Sequence, residues 1–522
     1  MKKIYYNGDF ITLENKDVEA IVTENGIITK VGKKEAILNL KDNEAELINL
    51  HGNTMMPAFI DTHGHFFAVA NNMLNVSLSE CKSFNDIKSK LHNYKTKGNI
   101  QDGEWIVANG YDHNNLQDGK NITKEILDSI ICNNPVIIQH TSGHSGILNS
   151  MALDKLNITA NTKSPEGGKI EKIDNKLTGY LEENAFLEYQ KKVPMPNKEK
   201  LLKSLINAQY KYASYGITTI QEGYMMDELI NIYKELVSKK TLFLDVVAYT
   251  DEKLDSKIRV EFPNNIKKYY NNFKVGGFKI FLDGSPQSRT AWMRTPYIDN
   301  ENYYGYGTMK DSEVEFAIKK ALEKEMQILV HCNGDKAAEQ YINSIKNINQ
   351  NVSKIRPVLI HGQLLGVDQL KEIKELGIIP SYFIAHTYYW GDVHIKNFGF
   401  DRASKTCPLK SSLNKNIIFT LHQDVPVVEP NMFETIWCAV NRITKTEMIL
   451  GKDEKIDVLD AIKAVTINAA YQYFEEDKKG SIKEGKKADL IIIDKNPLKI
   501  DKSELNKIKI LETIKNGIKL NI

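Results

Sequence analysis

From about residue 200 onward, short apolar runs alternate with amphipathic stretches, and this alternation limits the available folds more than any other feature of the chain. The apolar runs cover 217–221, 242–248, 277–282, 327–331, 357–361, 378–383 and 417–422. Helical periodicity is clear over 198–215, 311–325 and 367–376. With the earlier run 56–61 there are eight strands. Eight strands interleaved with helices predict an α/β protein built on a (β/α)8 TIM-type barrel.

In such barrels the working groups sit at the carboxyl ends of strands. The first run ends in Asp61-Thr62-His63-Gly64-His65. Residues two apart on a strand point the same way, so His63 and His65 would project together, with Gly64 leaving room for a cation. An isolated H-x-H is equally consistent with two unrelated surface histidines. The other strand ends decide the matter. The fourth carries Lys279, the fifth His331, the sixth His361, and the eighth His422 and Asp424. Histidines on several strands with one acid are hard to explain as packing, and they predict a divalent-metal site. Cys332 follows His331 and alternation turns it away, so it is read as packing.

Both ends of the chain are different in character. Residues 1–53 show short strand-like runs at 3–6, 10–13, 20–23 and 27–31, punctuated by Asn7-Gly8 and Asn25-Gly26. Asn-Gly between apolar runs is a hairpin signal. The far end repeats the pattern, with strand candidates at 488–494, 510–514 and 517–520. The two ends are expected to form one composite β-sandwich domain from 1–53 plus 475–522, with the barrel in 54–66 and 200–474. Residues 67–199 do not fit one strand–helix unit. With strands at 105–108 and 136–139 and helices at 84–97 and 124–131, they predict an insertion lobe after the first barrel strand, placed over the barrel mouth.

Composition excludes several classes. With 69 basic and 67 acidic residues the net charge is +2, so neither nucleic acid nor an anionic membrane is expected as a partner. The start of the chain lacks the apolar core of a secretory signal, and no run reaches the length of a membrane span. The five cysteines are scattered without a C-x-x-C pair, which argues against a disulfide framework and for a reducing cytoplasm.

The stretches PAFIDTHGH, GEWIVANGYDH, HTSGHSGILNS, FKIFLDGS, HCNGDKA, IHGQLL, HQDVPVV and GKKADLIIID together resemble the metal-dependent amidohydrolase superfamily. The match is to its amidohydrolase-3 branch, which includes N-substituted formamide deformylases, and it runs over essentially the whole chain. The resemblance implies that His63, His65 and Asp424 hold one metal and His331 and His361 a second. Lys279 would bridge them as a carbamate. Read from the residues alone, Lys279 is as well a lysine whose stem packs in the strand. The implied cofactor is a divalent metal, zinc by expectation, one or two per chain. The implied reaction is hydrolysis of an amide or N-formyl C–N bond carrying an apolar substituent, with Asp424 as the proton carrier. Ring opening of a cyclic amide or deamination at the same site is an alternative, and so is an idle binding homologue. The sequence departs from the branch in reading His422-Gln423-Asp424 where Gly-Ser-Asp is common. Candidate substrate contacts are His144, Arg289, His386, Trp390 and Trp105. Each of these also has a plain structural reading as a loop, a rim ion pair or a packed ring. The expected partner is a small-molecule substrate, with a homodimer left open.

Overall fold

The computed structural model describes residues 2–14, 17–113, 116–117, 119–140, 145–165 and 168–522. The chain divides into two compact units, Met1–Phe67 with Ile206–Ile522, and Ala68–Leu205.

The first unit holds a parallel eight-stranded sheet. Its strands are β1 (Phe59–Ile60), β2 (Ile217–Met225), β3 (Asp245–Thr250), β4 (Phe273–Phe281), β5 (Gln327–Cys332), β6 (Val358–His361), β7 (Ile379–Tyr382) and β8 (Thr420–Leu421). Each pairs with the next in chain order. Val/Ile-rich runs suit strands buried on both faces, and β5 and β6 illustrate this, with Leu329 opposite Val358 and Val330 opposite Leu359. No regular ladder joins β8 to β1. The two strands are joined just past their ends, by a Gly64–Val425 bridge and by bonds from His65 N to Val425 O (2.7 Å) and Asp424 N to His63 O (3.2 Å). The barrel therefore closes through the residues that carry the candidate chemistry. Its interior is filled by Ile60, Val247, Leu329, Val358 and Ile360, with Ala469, Ala470 and Tyr473 plugging it from below.

The run 56–61 is not one barrel strand. Thr54–Pro57 joins a terminal sheet, antiparallel to Leu490–Ile493, and only Phe59–Ile60 enters the barrel. The change of sheet follows Pro57, which has no N–H to donate. From there Ala58 N bonds Asp489 O and Phe59 N bonds Gly216 O.

The two ends of the chain meet in two sheets. One contains, in order, Ile27–Gly32, Ala20–Glu24, Lys2–Tyr6 and Glu46–Asn49. The other contains Asp9–Phe10, Thr54–Pro57, Leu490–Ile493, Ile510–Lys515 and Ile518–Lys519. They share a core that includes Tyr5, Ile21, Ile28, Met55, Leu490 and Ile514. Asn25-Gly26 and Asn516-Gly517 form hairpin turns with φ of 51° and 81°, and 49° and 73°, the paired positive φ that a type I′ turn needs. Asn7-Gly8 does not make a hairpin. It passes the chain from one sheet to the other, and a Cβ on Gly8 would lie 2.4 Å from Asn53 O.

The second unit has its own six-stranded sheet, ordered Gly168–Ile173, Lys176–Glu183, Ser145–Leu148, Val136–His140, Ile106–Tyr111 and Val76–Ser77. Helix Phe84–Lys97 starts on Ser83, whose side chain accepts from Asp86 N, a standard N-cap. The hairpin at Asp174-Asn175 was not expected, because its turn lacks the glycine of the usual signal. No helix of the described residues is long and apolar enough to cross a membrane.

At the amino ends of the barrel strands lies a buried network of six charges. Asp245 pairs with Lys479 (2.5 Å) and Lys515 (2.7 Å), and Lys515 also pairs with Asp489 (2.8 Å). Glu475 pairs with Lys479 (2.7 Å) and with Lys274. All six are at most 6% exposed. Three carboxylates answer three ammonium groups, so the cluster is neutral although each member is buried. It ties β3 and β4 to the C-terminal segment.

Candidate metal centre

His63 and His65 lie just beyond β1, and their rings are 5.2 Å apart. The glycine between them has a steric role of its own. A Cβ on Gly64 would sit 2.6 Å from Asp61 Oδ2, so the residue must be bare to clear a buried carboxylate. Burial pushes Asp61 up to about 7.

Lys279 reaches the same place from β4, its Nζ 3.5 Å from His63 Nε2. His331 comes from β5, with Nδ1 3.2 Å from His361 Nε2. His361 could not have been placed by alternation. Val358 and Ile360 face the barrel core, so a regular strand would turn His361 the other way. Its φ of 77°, followed by 53° at Gly362, swings the imidazole back inward. Asp424 also has positive φ, 53°. A non-glycine residue held there costs roughly 1–3 kcal/mol, and such strain concentrates at functional sites.

Asp424 is the hub. Its Oδ1 stands 3.3 Å from His65 Nε2 and 3.6 Å from His63 Nε2, and Oδ2 is 3.9 Å from His361 Nε2. Yet Oδ1 is buried and accepts no well-formed hydrogen bond. Donor atoms about 2.1 Å from a tetrahedral cation stand roughly 3.4 Å from one another. The separations here, 3.2 to 3.9 Å, fall near that range. His63, His361 and Asp424 meet within 4.8 Å as one potential ligand group. His65 Nε2 stands beside the same Asp424 oxygen (3.3 Å) and His331 Nδ1 beside His361 Nε2 (3.2 Å), so the set of candidate donors is broader than this trio. A site of imidazoles, a carboxylate and one amine fits a borderline divalent cation.

The electrostatics suit that role. Burial, then the Lys279 charge, lowers His63 well below its ordinary value and brings His331 down to about 4. Burial, then His331, does the same to His361. These rings are neutral and carry a free lone pair. Burial also brings the Lys279 amine down to about 7. Burial alone would raise Asp424, but His63, His65 and His361 outweigh it and hold the carboxyl well below the usual range.

Hydrogen bonds orient the rings. Gln221 donates its amide to Thr62 O (2.7 Å) and Tyr473 Oη (2.7 Å). Its Oε1 must then accept from His63 Nδ1–H (2.7 Å), which leaves Nε2 for the centre. His331 Nε2–H donates to Gly284 O (3.1 Å), leaving Nδ1 free. Asp283 accepts from the backbone N–H groups of Trp292, Asn333 and Gly334 (3.0, 2.9 and 2.7 Å) and so fixes the loop after β5. Sequence reasoning missed Gln221. Its only trace was a polar residue at the end of an apolar run.

The remaining candidates divide. His386 and Trp390 lie beyond the end of β7. They are one turn apart on helix His386–Phe398, with rings 4.5 Å apart. Phe383 joins them to the centre, 4.5 Å from His386 and 5.3 Å from His422. Arg289 is engaged by Asp299 (3.3 Å) and lies over Tyr297. Trp105 packs on the apolar core of the second unit. His144 lies outside the described residues. Cys332 is fully buried.

The chain is similar to known proteins over nearly its whole length. The Amidohydrolase family model matches residues 46–518. YtcJ of Bacillus subtilis (strain 168) is 28% identical over 534 residues, covering 99% of both chains. The N-substituted formamide deformylase of Arthrobacter pascens is 24% identical over 536 residues, covering 97% of this chain and 96% of its own. The crystal structure of an uncharacterized metal-dependent hydrolase from Pyrococcus furiosus superposes with a TM-score of 0.80 at 25% identity, over 96% of this chain and all of that one. The match spans nearly the whole sequence and includes every strand end described above: this chain belongs to the Amidohydrolase family, hydrolases of carbon–nitrogen bonds other than peptide bonds.

Proposed function

We propose that the protein hydrolyses an amide or N-formyl C–N bond in a small molecule whose nitrogen carries an apolar substituent. His63, His65 and Asp424 would hold one divalent cation, zinc by expectation, and His331 and His361 a second. Lys279 would span the two as its carbamate. Its buried amine, brought down to about 7, is largely neutral at physiological pH. That is the form that adds to carbon dioxide, releasing one proton. When bound, the cation supplies a lowered pKa for water and polarises the scissile carbonyl.

The chain's own residues do the rest. Asp424 takes the proton of the attacking water and delivers it to the departing amine nitrogen, so that amide and water become acid and amine. Its buried Oδ1, ringed by imidazoles and free of well-formed hydrogen bonds, is the observation that carries the proposal. Phe383, His386 and Trp390 supply an apolar wall beside the centre. Burial keeps His386 neutral by lowering it well below its ordinary value, so the wall favours uncharged groups. Five unpaired cysteines suit a reducing cytoplasm.

The test is a panel of N-formyl and N-acyl amines assayed on metal-stripped and zinc-reloaded protein. Turnover is expected only after reloading, with about two metal ions bound per chain by elemental analysis. A benzyl substituent should raise kcat/KM over methyl by about 100-fold, since each apolar group seated in such a pocket is worth roughly 1–3 kcal/mol. Reloaded protein that turns over no member of the panel would overturn the assignment.

A further inference from the structure

The last barrel strand carries a histidine that the reading above leaves without a task. His422 is fully buried at the end of β8, between the metal centre and the wall of β7. Its Nε2 is 3.2 Å from His361 Nδ1, and its Nδ1 is 2.9 Å from Ser381 Oγ. Ser381 Oγ is 3.3 Å from Thr62 Oγ1, and the Thr62 hydroxyl is 3.2 Å from Leu421 O. All of these side chains are buried.

The direction of every bond in this chain follows from its last member. A backbone carbonyl can only accept, so the Thr62 hydroxyl donates to Leu421 O. Thr62 Oγ1 is then free to accept from the Ser381 hydroxyl. Ser381 Oγ accepts in turn from His422 Nδ1–H. A neutral imidazole with its proton on Nδ1 offers a lone pair on Nε2, and that lone pair meets His361 Nδ1–H. His361 is thereby left with its Nε2 lone pair facing His331 Nδ1 and Asp424. Both nitrogens of His422 are occupied, so His422 is not itself a ligand.

We propose that His422 is a positioning residue that locks the tautomer and ring angle of His361. The relay Thr62–Ser381–His422 thereby readies His361 to bind a cation. His361 needs such a brace more than the other candidate imidazoles, none of which has positive φ. It reaches the centre through a positive-φ turn rather than along a regular strand, so its backbone alone does not set the ring. Gln221 braces His63 in the same sense, through one residue instead of three.

The inference rests on the metal reading of the centre, and affinity for metal tests it without reference to turnover. Apoprotein is titrated with zinc against a chromogenic chelator. His422→Phe keeps a ring of similar size but offers His361 no acceptor, and it should weaken zinc binding by about 10–100-fold, the usual effect of losing a residue that orients a ligand. His422→Gln restores an acceptor and should recover most of that loss. Ser381→Ala leaves the fold less disturbed and should shift affinity in the same direction by a smaller factor. Wild-type affinity in both His422→Phe and Ser381→Ala would overturn the inference while leaving the metal centre intact. Wild-type protein that binds no zinc would overturn both readings together.

Discussion

Asp424→Asn should lower kcat on the best panel substrate by about 10³-fold or more, within the range that one positioned proton carrier supplies. Asparagine matches aspartate in size and, like aspartate, tolerates left-handed backbone better than most residues. The φ of 53° at this position therefore survives the substitution, and the bonds closing the barrel at His63 O and Val425 O remain. The amide cannot accept the water's proton, and its charge no longer answers the surrounding imidazoles. Circular dichroism should match wild type, and elemental analysis should show metal retained at least in part through the other ligands. Metal-loaded Asp424→Asn with kcat within tenfold of wild type would move the proton-carrying role to another residue.

Lys479→Met should destabilise the barrel unit by roughly 3–5 kcal/mol, the typical cost of removing one partner from a buried ion pair. Lys479 is 2% exposed and serves both Asp245 and Glu475. Methionine fills similar volume but leaves three carboxylates facing two lysines in the neutral set. Lys487, partly exposed and 3.5 Å from Asp245, makes good only part of the loss. Thermal unfolding should show a midpoint lower by on the order of 10 °C. The pH dependence has a definite sign. Burial opposes the charge of Glu475, but Lys479 and Lys274 outweigh it and hold the carboxyl at about 2. A carboxylate lowered in the folded state adds stability that is present above its unfolded value, near 4.5, and is lost as pH falls toward 2. The gap between wild type and variant should therefore narrow over that window. A gap below 1 kcal/mol at neutral pH would show the network to be dispensable.

Much of the barrel was legible in the chain because strands buried on both faces leave an unmistakable apolar signature. The histidines at the ends of β5 and β6 were read directly from such runs, and helix Val367–Leu376 from its helical periodicity. The Asn-Gly turns at 25–26 and 516–517 were legible for a related reason, since positive φ is a local demand met by few residues. The failures have equally definite causes. The run 55–60 is apolar throughout, and its one break, Pro57, does not by itself say that the chain changes sheets there. Asn7-Gly8 carries a hairpin signal, but the strands on either side find partners far away in sequence. His386 and Trp390 follow a strand so closely that a helix start was invisible.

Taken alone, the sequence determined which groups were available and roughly where each would emerge: imidazoles, an amine and an acid at the carboxyl ends of parallel strands. Periodicity and hydrophobicity are local properties, and they suffice for that much. Tertiary structure decided how those groups are aimed. The Gln221 bond to His63, the relay through His422 and the six-charge network each join residues separated by tens to hundreds of positions. Such contacts depend on which strands become neighbours, and no local pattern encodes that.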